Sequence, residues 1–181
     1  MSTDYTLQRM TPADADETVR WMVRQYGFDP SEVKGWVRDL HFNWQMSVKA
    51  VENISGDTIG LLNMSDYRIE EETPQMAFDR PQLLERLNQL RYIAVFSFIV
   101  AEPYRHTRLN YDMFMSLWSD LQEYDFVFIP VMHHLKTHHY WQRWGAVEFY
   151  RDKVSVYYLL PLKGQRAAGR QEWWSRLLVG R

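Results

Sequence analysis

The stretch Ile-Ala-Val-Phe-Ser-Phe-Ile-Val-Ala-Glu-Pro-Tyr-Arg-His-Thr-Arg-Leu-Asn, residues 93–110, decides how this chain is read. Residues 93–100 form an apolar run of strand length. Residues 102–110 form a tight basic turn, and beyond it Phe114, Leu117, Trp118 and Leu121 recur on one face of a helix. A strand that passes through a cationic turn into a helix points several backbone N–H groups, and the positive end of the helix dipole, at one spot. A phosphate binds at such a spot.

Working outward, residues 5–9 read as a first strand, and Thr11-Pro12-Ala13-Asp14 as a helix start with a hydroxyl cap, proline at the first helical position and an acid in the first turn. Val19, Met22, Val23 and Tyr26 follow at helical spacing, and Gly27 closes the helix. Asp29-Pro30-Ser31 opens a second helix with Val33, Trp36, Val37 and Leu40 on one side. Phe42, Trp44, Met46, Val48 and Ala50 alternate with polar neighbours, which predicts a strand with one buried face. A turn at residues 53–57 returns the chain as a hairpin partner over 58–64. An acidic connection at residues 70–74 precedes a short helix from about Pro81. Residues 126–131 form a strand parallel to 93–100 if the helix between them is a right-handed crossover. A loop and helix end at Gly145, and residues 147–150 and 154–160 close the domain as a hairpin. This order predicts an α/β fold, a mixed sheet with helices on both faces.

Composition narrows the classes. The chain has 181 residues, 46% of them hydrophobic and 15% aromatic, enough for a single domain with a substantial core. The net charge of −2 gives no electrostatic case for nucleic acid. The absence of cysteine excludes disulfides, thiolate nucleophiles and cysteine metal sites. No apolar stretch approaches the roughly 18 residues that span a bilayer, and residues 1–5 do not resemble a signal peptide. A cytoplasmic protein without membrane or nucleic-acid partners is expected. Residues 1–162 are expected to form the domain, and 163–181 a linker with a short amphipathic segment. There Trp173, Trp174, Leu177 and Leu178 would dock on the domain itself or on a second copy in a homodimer.

The order of elements and several short motifs resemble the GNAT superfamily, the Gcn5-related N-acetyltransferases, over nearly the whole of residues 5–160. Gly56-Asp57-Thr58-Ile59-Gly60 is similar to the family's hairpin between its second and third strands. Val100-Ala101-Glu102-Pro103-Tyr104-Arg105 is similar to the end of its fourth strand, and Tyr140-Trp141-Gln142-Arg143-Trp144-Gly145 to the close of its fourth helix. The resemblance implies a sheet of six to seven strands and an acyl-CoA-dependent N-acyltransferase, with acetyl-CoA or another acyl-CoA as donor and an amine as direct attacker. It implies that Arg105, His106, Thr107, Arg108, Leu109 and Asn110 cradle the pyrophosphate. It also implies that the backbone of Phe98, Ile99 and Val100 serves the pantetheine arm and the oxyanion. The family's loop carries glycine or another small residue where this chain has Arg108 and Asn110. Glycine there permits positive φ and close approach of the backbone; an arginine either blocks that approach or adds a charge-assisted contact. The alternative to an enzyme is therefore a non-catalytic binding or assembly module of the same fold, its cofactor loop plugged by Arg108.

Amine acylation needs a base, an oxyanion donor and a proton for the departing thiolate. The resemblance puts a tyrosine acid where this chain has Trp141. Tyr140 is adjacent, one helical step of about 100° away. His134 falls where the family has a polar residue after its fifth strand, and imidazole titrates near neutrality. Glu148 and Asp66 are the carboxylate candidates for the base. His133, His134, His138 and His139 form the densest polar cluster, and a helix through them would set His134 and His138 at the i, i+4 spacing of zinc ligands. No third ligand is legible, so no metal is assigned.

Overall fold

The structure, a computed structural model, describes residues 4–39 and 42–162. The expected C-terminal segment, residues 163–181, lies outside the described residues. Seven strands form one mixed sheet in the order β1-β2-β3-β4-β5-β7-β6. They are β1 Tyr5–Arg9, β2 Phe42–Glu52, β3 Thr58–Ser65, β4 Tyr92–Val100, β5 Phe126–Met132, β6 Val147–Arg151 and β7 Ser155–Pro161. The helices are α1 Ala15–Tyr26, α2 Pro30–Asp39, α3 Ile69–Glu72, α4 Met76–Asp79, α5 Pro81–Asn88, α6 Leu109–Ser116, α7 Trp118–Leu121 and α8 His138–Arg143. Among the described residues, no helix is long and apolar enough to cross a membrane.

The chain divides into two compact units. One holds residues up to 66 together with 95–120; the other holds 67–94 and the chain from 121 onward. In the first, β1, β2 and β3 pair as antiparallel neighbours, Leu7 opposite Ala50 and Ala50 opposite Gly60. Val19 and Met22 of α1 and Val33 and Val37 of α2 bury their sides around Ile99 of β4. α6 packs on β3 at Gly60, where an added methyl group would meet Met113 Sδ at 3.0 Å and Leu109 Cδ2 at 3.5 Å. A side chain at that position would hold the helix off the sheet. In the second unit β4 and β5 run parallel over Tyr92–Phe126, Ile93–Val127 and Ala94–Phe128, and β7 lies between β5 and β6, antiparallel to both.

Three local expectations are corrected. The helix after the basic turn is not continuous. Ser116 Oγ donates to the Met113 carbonyl at 2.7 Å and Leu117 N–H reaches back only to Phe114 O, at 3.1 Å. The hydroxyl competes with the helical ladder, and α6 ends before α7 begins. β2 does not alternate throughout. A bulge lies between Asn43 and Val48, where Ser47 is buried, donating to Asn43 O at 2.8 Å and accepting Met64 N–H at 3.1 Å. The acidic connection is helical in part, because Glu71 Oε2 accepts the Arg68 N–H at 3.0 Å and so caps α3.

Candidate active site

The turn at residues 101–109 is built by short-range bonds. Ala101 N–H donates to Ile59 O of β3 at 2.9 Å, which fixes the end of β4. A 3-10 turn, Glu102–Tyr104, follows; the Tyr104 hydroxyl bonds the carboxylate of Glu52, which the Ser55 hydroxyl first and Tyr104 second hold below its usual range. Thr107 Oγ1 donates to Tyr104 O at 2.8 Å and accepts Leu109 N–H at 3.2 Å, and Asp112 N–H to Arg108 O at 2.9 Å opens the helical ladder. Helix geometry leaves N–H groups of the first turn of α6 without intrahelical partners.

Two features answer the absence of glycine. Arg108 has φ −74° and ψ −4°, an ordinary right-handed conformation, and among the described residues no residue other than glycine has positive φ. The turn therefore requires no left-handed residue. The Arg108 side chain is 78% exposed, its guanidinium 3.4 Å from Asp112 Oδ1 and 5.5 Å from the centre of the Tyr111 ring. It lies along its own helix. Arg105 turns the other way: Nε donates to Val100 O at 3.2 Å and Nη2 to Gln25 Oε1 of α1 at 3.2 Å. His106 is exposed, and Asn110 is half-buried in the first turn of α6.

Tyr140, His134 and Glu148 lie in the other unit. Tyr140, in α8, packs its ring 4.6 Å from that of Trp144 and 6.0 Å from that of buried Trp141. His134 is exposed and precedes α8, which starts at His138, so these two do not form the helical i, i+4 pair. His138 donates through Nε2 to Met132 O at 3.2 Å, leaving Nδ1 to accept from the Tyr158 hydroxyl at 3.1 Å. Glu148 forms a two-pronged ion pair with Arg151, 3.0 Å on each arm. In the first unit, Asp66 accepts both contacts from Asn43 Nδ2, at 2.9 and 3.2 Å.

No protein-family model matches this sequence, and no curated protein does. Solved structures match its fold. Arabidopsis thaliana NAA60 in complex with acetyl-CoA superposes with a TM-score of 0.59 at 12% identity, over 88% of this chain and 99% of its own. The PaiA N-acetyltransferase of Thermoplasma acidophilum in complex with coenzyme A gives 0.57 at 8%, over 89% and 99%. A protein of the GNAT family from Desulfovibrio desulfuricans gives 0.56 at 15%, over 87% and 99%. This is the GNAT fold.

On that GNAT frame, three further side chains stand out, of which the sequence singled out only Glu72, as part of its acidic connection. The first is Tyr26, the last residue of α1, whose hydroxyl is pushed by burial up to about 12 and whose ring lies 5.4 Å from that of Phe28. The second and third are carboxyls. Burial acts to raise Asp152, but the Ser155 N–H at 2.8 Å, the Tyr157 hydroxyl at 2.7 Å and the Val154 N–H at 2.7 Å outweigh it, and the carboxyl titrates below its usual range. Glu72 is exposed as a residue, yet desolvation of its carboxyl and then the Asp152 charge push it up to about 7. The Pro-free hairpin turn around Asp152 is legible as a turn, but the carboxyl pair joins segments distant in the chain.

Asp152 gives a pH prediction. A carboxyl whose folded pKa is depressed adds stability above its unfolded pKa, near 4, and loses it as pH falls toward the folded value. The stability gap between the wild type and Asp152→Asn should be wide at pH 6 and should close below about pH 4. Denaturant titrations across that range measure it; a gap independent of pH would contradict the assignment.

Proposed function

We propose that this chain is an acyl-CoA-dependent N-acyltransferase, with acetyl-CoA as the simplest donor and an amine as acceptor. The observation that carries the reading is the turn into α6. Its backbone needs no glycine, its one inserted arginine lies along its own helix, and its N–H groups with Arg105 form a cationic mouth for a diphosphate. The NAA60 and PaiA structures hold acetyl-CoA and coenzyme A, which supports the same class of donor here. Residues 105–110 would hold the pyrophosphate, and the backbone of Phe98, Ile99 and Val100 the pantetheine arm and thioester. The amine then attacks the thioester carbon in a ternary complex; the N–C bond forms, the C–S bond breaks, and the sulfur gains the proton that the amine sheds. Tyr140, His134 and Glu148 are the residues offered for that proton traffic.

Thermal unfolding with and without millimolar acetyl-CoA tests this. A ligand at a hundred times its Kd adds about 2.7 kcal/mol to the folded state, about 5–10 °C in Tm for a chain of this size. Arg105→Ala should shrink that shift. No shift in the wild type would contradict the reading and favour the second one, a non-catalytic GNAT-like module. Two observations speak for that module: Trp141 stands at the position that the resemblance gives to a tyrosine acid, and the Val100 carbonyl is taken by Arg105.

A further inference from the structure

The peptide that joins Val100 to Ala101 is held from two sides. Its N–H, on Ala101, donates to Ile59 O of β3 at 2.9 Å. In a trans peptide the C=O points opposite to the N–H, so the Val100 oxygen faces away from β3. The paired register of β4 with β5 ends at Ala94 and Phe128, and Val100 lies beyond it. The Val100 oxygen meets the side chain of Arg105 instead. Nε donates to that oxygen at 3.2 Å, and Nη2 donates to Gln25 Oε1 in the last turn of α1, also at 3.2 Å.

These are weak holds on a cation. Both acceptors are neutral oxygens, both distances lie at the long end of the N–H···O range, and Arg105 is an exposed residue. A phosphate carries full charge, takes two parallel N–H groups from one guanidinium, and forms bonds roughly twice as strong. A diphosphate at the turn therefore competes with the Val100 carbonyl for the same side chain. Val100 is buried, and a carbonyl there that loses its donor needs another.

We propose that Gln25 and the Val100 carbonyl hold Arg105 in reserve, and that the diphosphate of the acyl donor draws it off. The Val100 oxygen then accepts an amide N–H of the pantetheine arm. Gln25 is thus a positioning residue that acts on the donor through Arg105. The two halves of the donor bind cooperatively, because the diphosphate makes the arm's acceptor available. The inference rests on the acyltransferase reading and gives the Val100–Arg105 contact a role within it.

Inorganic pyrophosphate and S-acetylpantetheine, used as separate ligands of the full chain labelled with nitrogen-15, test this. Saturating pyrophosphate should tighten the binding of S-acetylpantetheine by about 5-fold or more, and S-acetylpantetheine should tighten that of pyrophosphate by the same factor. Pyrophosphate alone should move the Arg105 Nε resonance and the Ala101 amide nitrogen, which shares its peptide with the Val100 carbonyl. Gln25→Ala should raise the affinity for S-acetylpantetheine without pyrophosphate and shrink the coupling, because Arg105 has one acceptor fewer. Gln25→Glu should lower the affinity for acetyl-CoA, because a carboxylate holds the guanidinium more strongly. Gln25 is exposed, so both variants leave the core intact, and a merely structural residue would not give opposite signs. Equal affinity for S-acetylpantetheine with and without pyrophosphate, or none in either case, would overturn the assignment while leaving acetyl-CoA binding in place. So would variants that behave as the wild type does. Failure of the wild type to bind either acetyl-CoA or CoA would remove the acyltransferase reading, and this assignment with it.

Discussion

Phe128→Ala is expected to cost about 3–5 kcal/mol of folding stability. Phe128 is fully buried on β5, between Ala94 of β4 and Leu159 of β7. Its ring stacks on Tyr157 at 5.8 Å and 1°, and meets the rings of Tyr67 and Phe149 at 6.1 Å each. Removing it loses the transfer free energy of a phenyl group and leaves a cavity walled by three rings, none of which turns easily into the space. It also unsupports Tyr157, whose hydroxyl holds Asp152. Native domains are stable by only about 5–15 kcal/mol, so this one truncation removes a large share. Urea titration should show a lower midpoint with an unchanged slope. A loss below about 1.5 kcal/mol would mean that the neighbours collapse into the vacated volume, and the ring cluster is not the rigid element described.

The second large effect belongs to the proposed diphosphate turn. Leu109 is the first residue of α6 and fully buried, within reach of Gly60 on β3. It pins the start of the helix to the sheet, while Thr107 takes its N–H. Leu109→Ala should cost about 2–5 kcal/mol. It should also speed hydrogen exchange at the amides of Asn110, Tyr111 and Asp112 more than elsewhere in α6, because the lost anchor lies at that end. Uniform acceleration along α6 would show instead that Met113 and Phe114 carry the helix and that Leu109 only adds to the core.

Much of the architecture was legible because its causes are local. Period-two and helical apolar spacing, Gly27 at φ 71° closing α1 and Gly145 at φ 93° after α8 are properties of short windows. The strand–turn–helix at residues 93–121 was legible for the same reason, and the parallel pairing of β4 with β5 followed from the crossover between them. The departures came where a polar side chain outcompeted the pattern: Ser116 against its helix, Ser47 and Asn43 in the β2 bulge, Glu71 at the cap of α3. The buried pair Asn63–Ser97, joined at 2.6 Å between β3 and β4, was illegible because neither residue stands out within its own strand.

The candidate site divides along the same line. The turn at residues 105–110 was visible as a basic run before a helix, but its missing glycines could be weighed only against backbone angles and the direction of Arg108. Tyr26 was counted as one more apolar position of an amphipathic helix. Only the tertiary fold gathers its ring with those of Phe28 and Trp36 against Ile99 of β4.

The central claim is that the turn into α6 receives the diphosphate of an acyl-CoA. Titration of nitrogen-15-labelled protein with acetyl-CoA, followed by amide resonances, tests it most directly. The account predicts saturable shifts concentrated at residues 105–111 and at Phe98 and Val100, reduced in Arg105→Ala. Unchanged resonances at millimolar acetyl-CoA, or saturable shifts that spare residues 105–111, would contradict it.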